Sequence, residues 1–489
     1  MQTRRTKIIA TLGPATDSPE VLRALIEAGA DVLRINLSHG SHAEQAARAS
    51  QVRVIASELK KEVAILADLR GPKVRIESFV NGHVELEHGD VFILDASDGP
   101  VKGTQTRVGV TYKGLVNDVS VGDLLLLDDG LLTMRVVAIK GTDIVCEVET
   151  GGVLNNRKGI NVQGGGLSLP GIAEHDIEDI PRVAAMGADY LAVSFPRNAD
   201  DMNEARRRLR AAGSQARLVA KIERAEAIEH LEEIITASDA VLIARGDLGV
   251  EIGDAELPGL QKLITTKSLE QNRIVITATQ MMQSMVESPI PTRAEVLDVA
   301  NSVFDGTDAV MLSAETAVGH HPHIVVEAMN RICLGAERHN DTRVNHDHLN
   351  VQFERIDQAI AMAAMSMATN VSVQAIVALT ESGSTAQWLS RIRSAVPIYA
   401  LSPVRDSLRR MALYRGVYPV AHDLPSKNVE DSLTEAVRLL VQQGSIKLGD
   451  RIILTMGEYT GKEGGTNSLR LVQVGKGGLS EYAPSAGAH

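Results

Sequence analysis

Eight short runs rich in Val, Ile, Leu and Ala, nearly all followed by a longer amphipathic stretch, leave this chain few ways to fold. The runs are TKIIATLG (6–13), DVLRINLSH (31–39), EVAILADL (62–69), DYLAVSF (189–195), RLVAKIE (217–223), DAVLIARG (239–246), RIVITAT (273–279) and DAVMLSAE (308–315). Strands that are apolar on both faces belong to parallel sheets covered by helices, and eight such units close into a (β/α)8 barrel. Helix signals support the count: DSPE (17–20) and PTRAE (291–295) read as capped starts, Ala28-Gly29 and Met186-Gly187 as ends. Aromatic residues make up only 3%, so the core must be aliphatic, as buried parallel strands require.

The rhythm breaks once, after the third run. Residues 72–168 hold Gly-Asp turns at Gly89-Asp90 and Gly122-Asp123 and the strand-like VVAIKG and IVCEVETGG. They read as an inserted all-β domain, β-barrel-like, in a βα loop. The catalytic barrel is then 1–71 plus 169–344. Such loops open on the catalytic face, so the insertion would act as a lid. The polar segment 339–350 reads as a linker. Residues 345–489 then read as a C-terminal α/β domain, with helices near 357–370 and 428–443 and strands AIVALT (375–380), PIYALS (397–402) and RIILTMG (451–457).

A formal net charge of −12 argues against a nucleic-acid partner. The two cysteines, Cys146 and Cys333, form no CxxC or His-paired pattern, so neither a disulfide scaffold nor a zinc site is expected, and a cytoplasmic location is. No apolar run reaches the length of a membrane span or signal peptide.

Most runs end in residues that a buried strand has no structural reason to carry. These are Arg34, Asn36 and Ser38 on the second, Asp68 on the third, Ser194 on the fourth, and Lys221 and Glu223 on the fifth. Arg245 and then Asp247 follow the sixth, Thr279 ends the seventh, and Ser313 and Glu315 end the eighth. A barrel gathers these ends at one mouth, and buried charges there need partners or a metal. Glu223 and Asp247 are hard oxygen ligands suited to Mg²⁺ or Mn²⁺; Arg34 and Lys221 suit an anion. Metal carboxylates beside cations are the layout that phosphoryl transfer requires. A single charged strand end is an ordinary ion-paired loop residue; the cluster is what points to chemistry.

Six motifs, in order, carry a resemblance: RINLSHG (34–40), DLRGPKVR (68–75), KIE (221–223), ARGDLGVE (244–251), ATQM (278–281) with PTRAE (291–295), and MLSAET (311–316). Over nearly the whole chain they resemble the pyruvate kinase family. The resemblance implies transfer of the phosphoryl group of phosphoenolpyruvate to ADP, giving pyruvate and ATP in the last step of glycolysis. It implies Glu223 and Asp247 as Mg²⁺ ligands, Lys221 as the ammonium facing the phosphoryl group in flight, and Arg34 as the clamp on the substrate phosphate. The amides at Gly246 and Asp247 would hold the substrate carboxylate, and Thr279 would stand where enolpyruvate is protonated through water. Asn36, His39, Arg75, Asp129 and Lys158 would meet the nucleotide. A homotetramer is implied too.

Many pyruvate kinases need K⁺, held by the residues matching Asn36, Ser38, Asp68 and the carbonyl of Leu69. In those enzymes Glu matches Lys73 and Thr matches Leu69. Here the Lys73 ammonium would bring the charge that K⁺ otherwise supplies, so K⁺ independence is expected. In the third domain, Thr380, Ser382, Gly383, Ser384 and Thr385 open a helix and form a phosphate nest or an ordinary capped turn. The resemblance implies an allosteric sugar-phosphate site, with the loop 457–465, including Tyr459 and Lys462, closing over it. Two rivals stay open: a metal-dependent oxoacid aldolase or lyase on the same barrel, and a sugar-phosphate sensor without chemistry. Walker-type nucleotide binding is excluded in its simple form, as no GxxxxGK[ST] occurs.

Overall fold

A computed structural model describes residues 3–339, 353, 355–422, 429–457, 465–476 and 478–480. The eight apolar runs become β1 (Lys7–Thr11), β2 (Val32–Asn36), β3 (Ala64–Asp68), β4 (Tyr190–Val193), β5 (Arg217–Ile222), β6 (Ala240–Ala244), β7 (Ile274–Ala278) and β8 (Ala309–Leu312). Each pairs in parallel with the next, and β8 pairs with β1, so the barrel closes.

Side chains alternate along these strands because the pleat has a period of two. Ile9, Val32, Leu66, Tyr190, Val219, Leu242 and Ile276 fall in one buried cluster, Ile8, Leu33, Ile65, Leu191 and Leu218 in another with the helices. The helix signals act as read. In α1 (Pro19–Ala28) the Ser18 hydroxyl accepts the Val21 N–H and Gly29 closes the end at φ +119°. In the helix Arg293–Asp305, Thr292 and Glu295 form a reciprocal capping box.

Residues between β3 and β4 build the inserted β structure: one six-stranded sheet from Val91–Asp95 to Ile160–Val162, and a two-stranded pairing of His83–Leu86 with Gly152–Asn155. Isolated bridges at Arg75–Gly159, Ile76–Val110 and Phe79–Gly103 tie in the segment that leaves the barrel. One helical turn, Leu115–Asp118, interrupts the strands.

The C-terminal sheet runs Val417–Ala421, Ile398–Ser402, Ala375–Leu379, Arg451–Met456, Ser468–Gly475, Gly478–Ser480, the first four parallel and the last two antiparallel. Neither Val417–Ala421 nor the terminal hairpin is among the expected strands. Pro419 weakens the strand signal there, and an edge strand tolerates it. The linker beyond His339 and most of the loop 457–465, with Tyr459 and Lys462, lie outside the described residues.

This domain caps the barrel end opposite the mouth. Leu408, Met411 and Tyr414 share a cluster with the barrel interior, the Tyr190 hydroxyl donates to the Arg410 carbonyl at 2.7 Å, and Arg391 forms two 2.7 Å bonds with Asp308. Among the described residues, no helix is long and apolar enough to cross a membrane.

Candidate active site

The C-terminal ends of β2 to β5 deliver one charge network. Asp68, 1% exposed, accepts Nη2 of Arg34 at 2.6 Å on one oxygen and Nζ of Lys221 at 3.2 Å on the other. Lys221 also donates to the Ser194 hydroxyl at 2.8 Å and lies 2.9 Å from Glu223. The Ser194 hydroxyl in turn donates a hydrogen bond to the Leu69 carbonyl at 2.8 Å. Burial alone would raise the Asp68 carboxyl, but the Lys221 and Arg34 cations hold it below the usual carboxylate range. Glu223 goes the other way: burial pushes it up to about 7, with Asp247 and Asp68 adding repulsion that Lys221 only partly offsets.

Asp247 comes from α2 (Arg245–Ile252), which starts directly where β6 ends. Its Oδ1 takes Nζ of Lys73 at 2.7 Å, and the same ammonium lies 4.0 Å from Asp129 of the inserted domain. The Gly246 N–H donates to the Thr279 hydroxyl at 2.9 Å. Thr279 sits at φ +65° and Gln280 at +51°, a conformation that costs a β-branched residue about 1–3 kcal/mol and persists where surroundings enforce it. Arg245 enforces it: Nε donates to the Ala278 carbonyl at 3.0 Å, Nη2 to that of Thr279 at 2.7 Å, and Nη1 pairs with Asp298 at 2.6 Å.

Arg34, Asp68, Lys221, Glu223, Lys73 and Asp247 therefore converge, with Asp129 above them and Gly246 beside Thr279. The other expected residues make contacts elsewhere. Asn36 accepts the Ser38 N–H at 3.0 Å, and Ser38 and His39 are exposed. Arg75, also exposed, donates to the Arg157 carbonyl at 3.0 Å, and Lys158 pairs with Asp128 at 2.8 Å. Lys73 meets the carboxylates of Asp247 and Asp129, while Asp68 is occupied by Arg34 and Lys221. Glu315 turns into the backbone, accepting N–H groups of Ser313 and Met282 at 2.6 and 3.2 Å. Ser194 and Arg245 gain positioning parts that the sequence did not assign; their only signal was a polar residue closing an apolar run.

The donor chemistry fits a hard divalent cation. Glu223 and Asp247 repel one another, and a cation beside both relieves that repulsion. Among the described residues no group of three or more His, Cys, Asp or Glu could hold a metal, so such an ion would complete its shell with water or substrate oxygens.

In the third domain, the Thr380 hydroxyl accepts the Gly383 N–H at 3.0 Å and that of Ser382 accepts the Ser384 N–H at 3.3 Å. Gly383, at φ +84°, opens the helix Ser384–Ile392. The Ser384 hydroxyl donates to Asp357 at 3.1 Å and that of Thr385 contacts Thr466 at 2.5 Å.

Profiles of two domains match the chain: "Pyruvate kinase, barrel domain" over residues 3–326 and "Pyruvate kinase, alpha/beta domain" over residues 358–472. The chain belongs to the pyruvate kinase family. It is 51% identical to pyruvate kinase II of Salmonella typhimurium, across 96% of this chain and 99% of that one. It is 49% identical to the pyruvate kinase of Haemophilus influenzae across 93% and 96%. With that of Staphylococcus aureus (strain MRSA252) it shares 41%, across 96% of this chain and 81% of the relative. A pyruvate kinase is a phosphotransferase: phosphoenolpyruvate and ADP go in, pyruvate and ATP come out, and the family uses Mg²⁺.

Proposed function

We propose that the charge network at the barrel mouth carries phosphoryl transfer, and that the observation on which this rests is the position of Lys221. Its ammonium lies 2.9 Å from Glu223 and 3.2 Å from Asp68, whose other oxygen is 2.6 Å from Arg34. In the reaction, an ADP oxygen attacks phosphorus, the bond to the enol oxygen breaks, and the enolate takes a proton at its methylene carbon. Charge spreads over the moving phosphoryl oxygens, and preorganised cations stabilise it. Arg34 would hold the substrate phosphate and Lys221 would face it in transit. The Gly246 and Asp247 amides, at the start of α2, would receive the substrate carboxylate, with the Thr279 hydroxyl releasing the Gly246 N–H to it. Thr279 then stands beside the carbon to be protonated, relaying a proton from water. Mg²⁺ held by Glu223 and Asp247 would supply charge neutralisation.

The domains divide the labour: 1–71 and 169–344 hold the phosphoenolpyruvate, 72–168 covers the nucleotide, and 345–489 takes an effector. Asn36, His39, Arg75, Asp129 and Lys158 would meet ADP, and closure would exclude water. Lys73 supports a reaction that needs no K⁺, because an ammonium already stands among the mouth carboxylates. The hydroxyls and amides of 380–385 suit a sugar phosphate, although Asp357 beside Ser384 would oppose a second negative charge. A homotetramer in the cytoplasm, with no nucleic-acid or membrane partner, completes the reading.

A coupled assay with phosphoenolpyruvate and ADP tests it, run with Mg²⁺ titrated in a tetramethylammonium background. Pyruvate formation that requires Mg²⁺ and persists without K⁺ is expected. No turnover at any Mg²⁺ concentration would refute the active site, and a steep rise on adding K⁺ would refute the part given to Lys73. Sugar phosphates added to the same assay, with Ser384→Ala and Thr385→Ala, test the third-domain site; activation unchanged in both variants would move it elsewhere.

A further inference from the structure

Two chain segments join the inserted domain to the barrel, and a buried carboxylate fastens each. On the outbound side Asp176, 1% exposed, accepts the N–H groups of Arg70 and Gly71 at 3.1 and 3.2 Å. On the return side Glu251, 3% exposed, accepts Nδ2 of Asn161 at 3.2 Å on one oxygen and the Ala225 N–H at 2.9 Å on the other. The Glu251 carbonyl also accepts the Gly164 N–H at 2.9 Å. Glu226 takes the Gly166 N–H at 2.6 Å, and Arg224 donates to the Leu167 carbonyl at 2.6 Å. Between them Gly165 stands at φ +83°, where a Cβ would lie 2.8 Å from the Glu226 carboxyl carbon. Barrel residues thus fasten the return path at Asn161, Gly164, Gly166 and Leu167.

Glu251 differs from the others in where it is mounted. It lies one turn after Asp247 on α2, so it shares a rigid element with Asp247 and the Gly246 amide. Its partner Asn161 lies in the strand Ile160–Val162, just after Lys158 and hydrogen-bonded to Leu124–Leu127, which leads to Asp128 and Asp129. One carboxylate thus bridges the helix at the phosphoenolpyruvate end and the strand pair that overhangs the nucleotide end.

We infer that Glu251 is a positioning residue which, through Asn161 and Ala225, couples the placement of the inserted domain to that of α2. Closure over the nucleotide then takes its register from α2, which β6 holds in place. The inference rests on the proposed placement of ADP beneath residues 72–168. Burial pushes the Glu251 carboxyl up to about 7, against the opposing pull of its Ala225 and Asn161 donors, so losing either donor leaves a buried oxygen short of a partner.

Hydrogen–deuterium exchange without substrates, on the full chain, tests the coupling in Glu251→Gln and Asn161→Ala. A glutamine keeps the shape but turns an NH₂ toward one of the two donors. Exchange across 159–167 should quicken about tenfold in both variants, the size of one lost hydrogen bond, while β5 and β6 exchange as in the wild type. In steady state the KM for ADP should rise about fivefold with kcat and the KM for phosphoenolpyruvate within about twofold, and the double variant should be no worse than Glu251→Gln. Wild-type exchange at 159–167 would overturn the inference. So would a lowered melting temperature with unchanged kinetics, or a parallel change in both KM values. If Glu251→Gln does not fold, Asn161→Ala carries the same outcomes. A wild type inactive on phosphoenolpyruvate and ADP would sink the functional reading, while the exchange data would still decide the coupling.

Discussion

At the floor of the barrel, Arg391 and Asp308, with side chains 2% and 0% exposed, meet through two bonds of 2.7 Å. Asp308 also accepts the Val275 N–H at 2.8 Å, and Arg391 donates to the Arg273 carbonyl at 2.9 Å. Burial would raise the Asp308 carboxyl, but Arg391 and Arg393 hold it below its usual range. At the mouth, burial is as deep and Asp68 is likewise held low, but Glu223 goes the other way. Glu223 is pushed up to about 7 with Asp247 and Asp68 crowding it, and Thr279 is held at φ +65°. Both ends bury ions, so burial does not mark the site. What marks the proposed site is carboxylate repulsion, between Glu223 and Asp247, that the protein's own cations only partly offset and that a bound cation can relieve.

The comparison can be broken in steady-state kinetics first. Lys221→Met should lower kcat by on the order of 10³-fold, the scale for removing one preorganised charge donor, and should lower the melting transition less than a floor variant does, because Asp68 keeps Arg34. A loss under tenfold would mean that the mouth cations do not act on the moving phosphoryl group. The floor should respond in the opposite currency. Asp308→Ala leaves Arg391 buried without its carboxylate and should destabilise by about 3–5 kcal/mol, read from urea unfolding, with both KM values of the folded fraction unchanged. Lys73→Glu should cut activity in K⁺-free buffer by about tenfold and restore part of it on adding K⁺, since one ammonium among carboxylates has become a further anion.

The smallest effect is one of sign. Asp308 has a depressed pKa, so its stabilisation is present above the ordinary carboxylate range and lost as pH falls. Glu251 is raised from 4.5 to about 7, so the folded state binds its proton more tightly and stability falls as pH rises through that window. Arg224 and Glu226 face it from the loop after β5 and Asn161 from the inserted domain. Wild type should therefore lose stability relative to Glu251→Gln between pH 5 and about 7, measured by denaturant unfolding without Mg²⁺. A difference independent of pH would show that Glu251 stays ionised.

How much was legible varies by element. All eight barrel strands could be read because each is apolar on both faces, a local pattern. Lys221, Glu223, Arg34 and Asp247 were legible because charge at the end of such a strand has no local excuse. The strand Val417–Ala421 was not, because its pairing with Ile398–Ser402 and its docking against Lys7, whose ammonium reaches the Val417 carbonyl at 2.6 Å, are supplied from distant sequence. Lys73 shows the same limit at the site. Its charge was visible, but its partner was not: it pairs with Asp247, 174 residues away.

The sequence alone determined the barrel, the insertion point, the family's motifs and the roster of charged groups, because hydrophobic period and motif spacing are properties of neighbouring residues. Only the tertiary structure decided which charges face each other. Asp68 belongs to Arg34 and Lys221, Lys73 to Asp247, Asp308 to Arg391, and Glu251 to Asn161. Coulomb and hydrogen-bond energies depend on distance through space, which chain position does not encode.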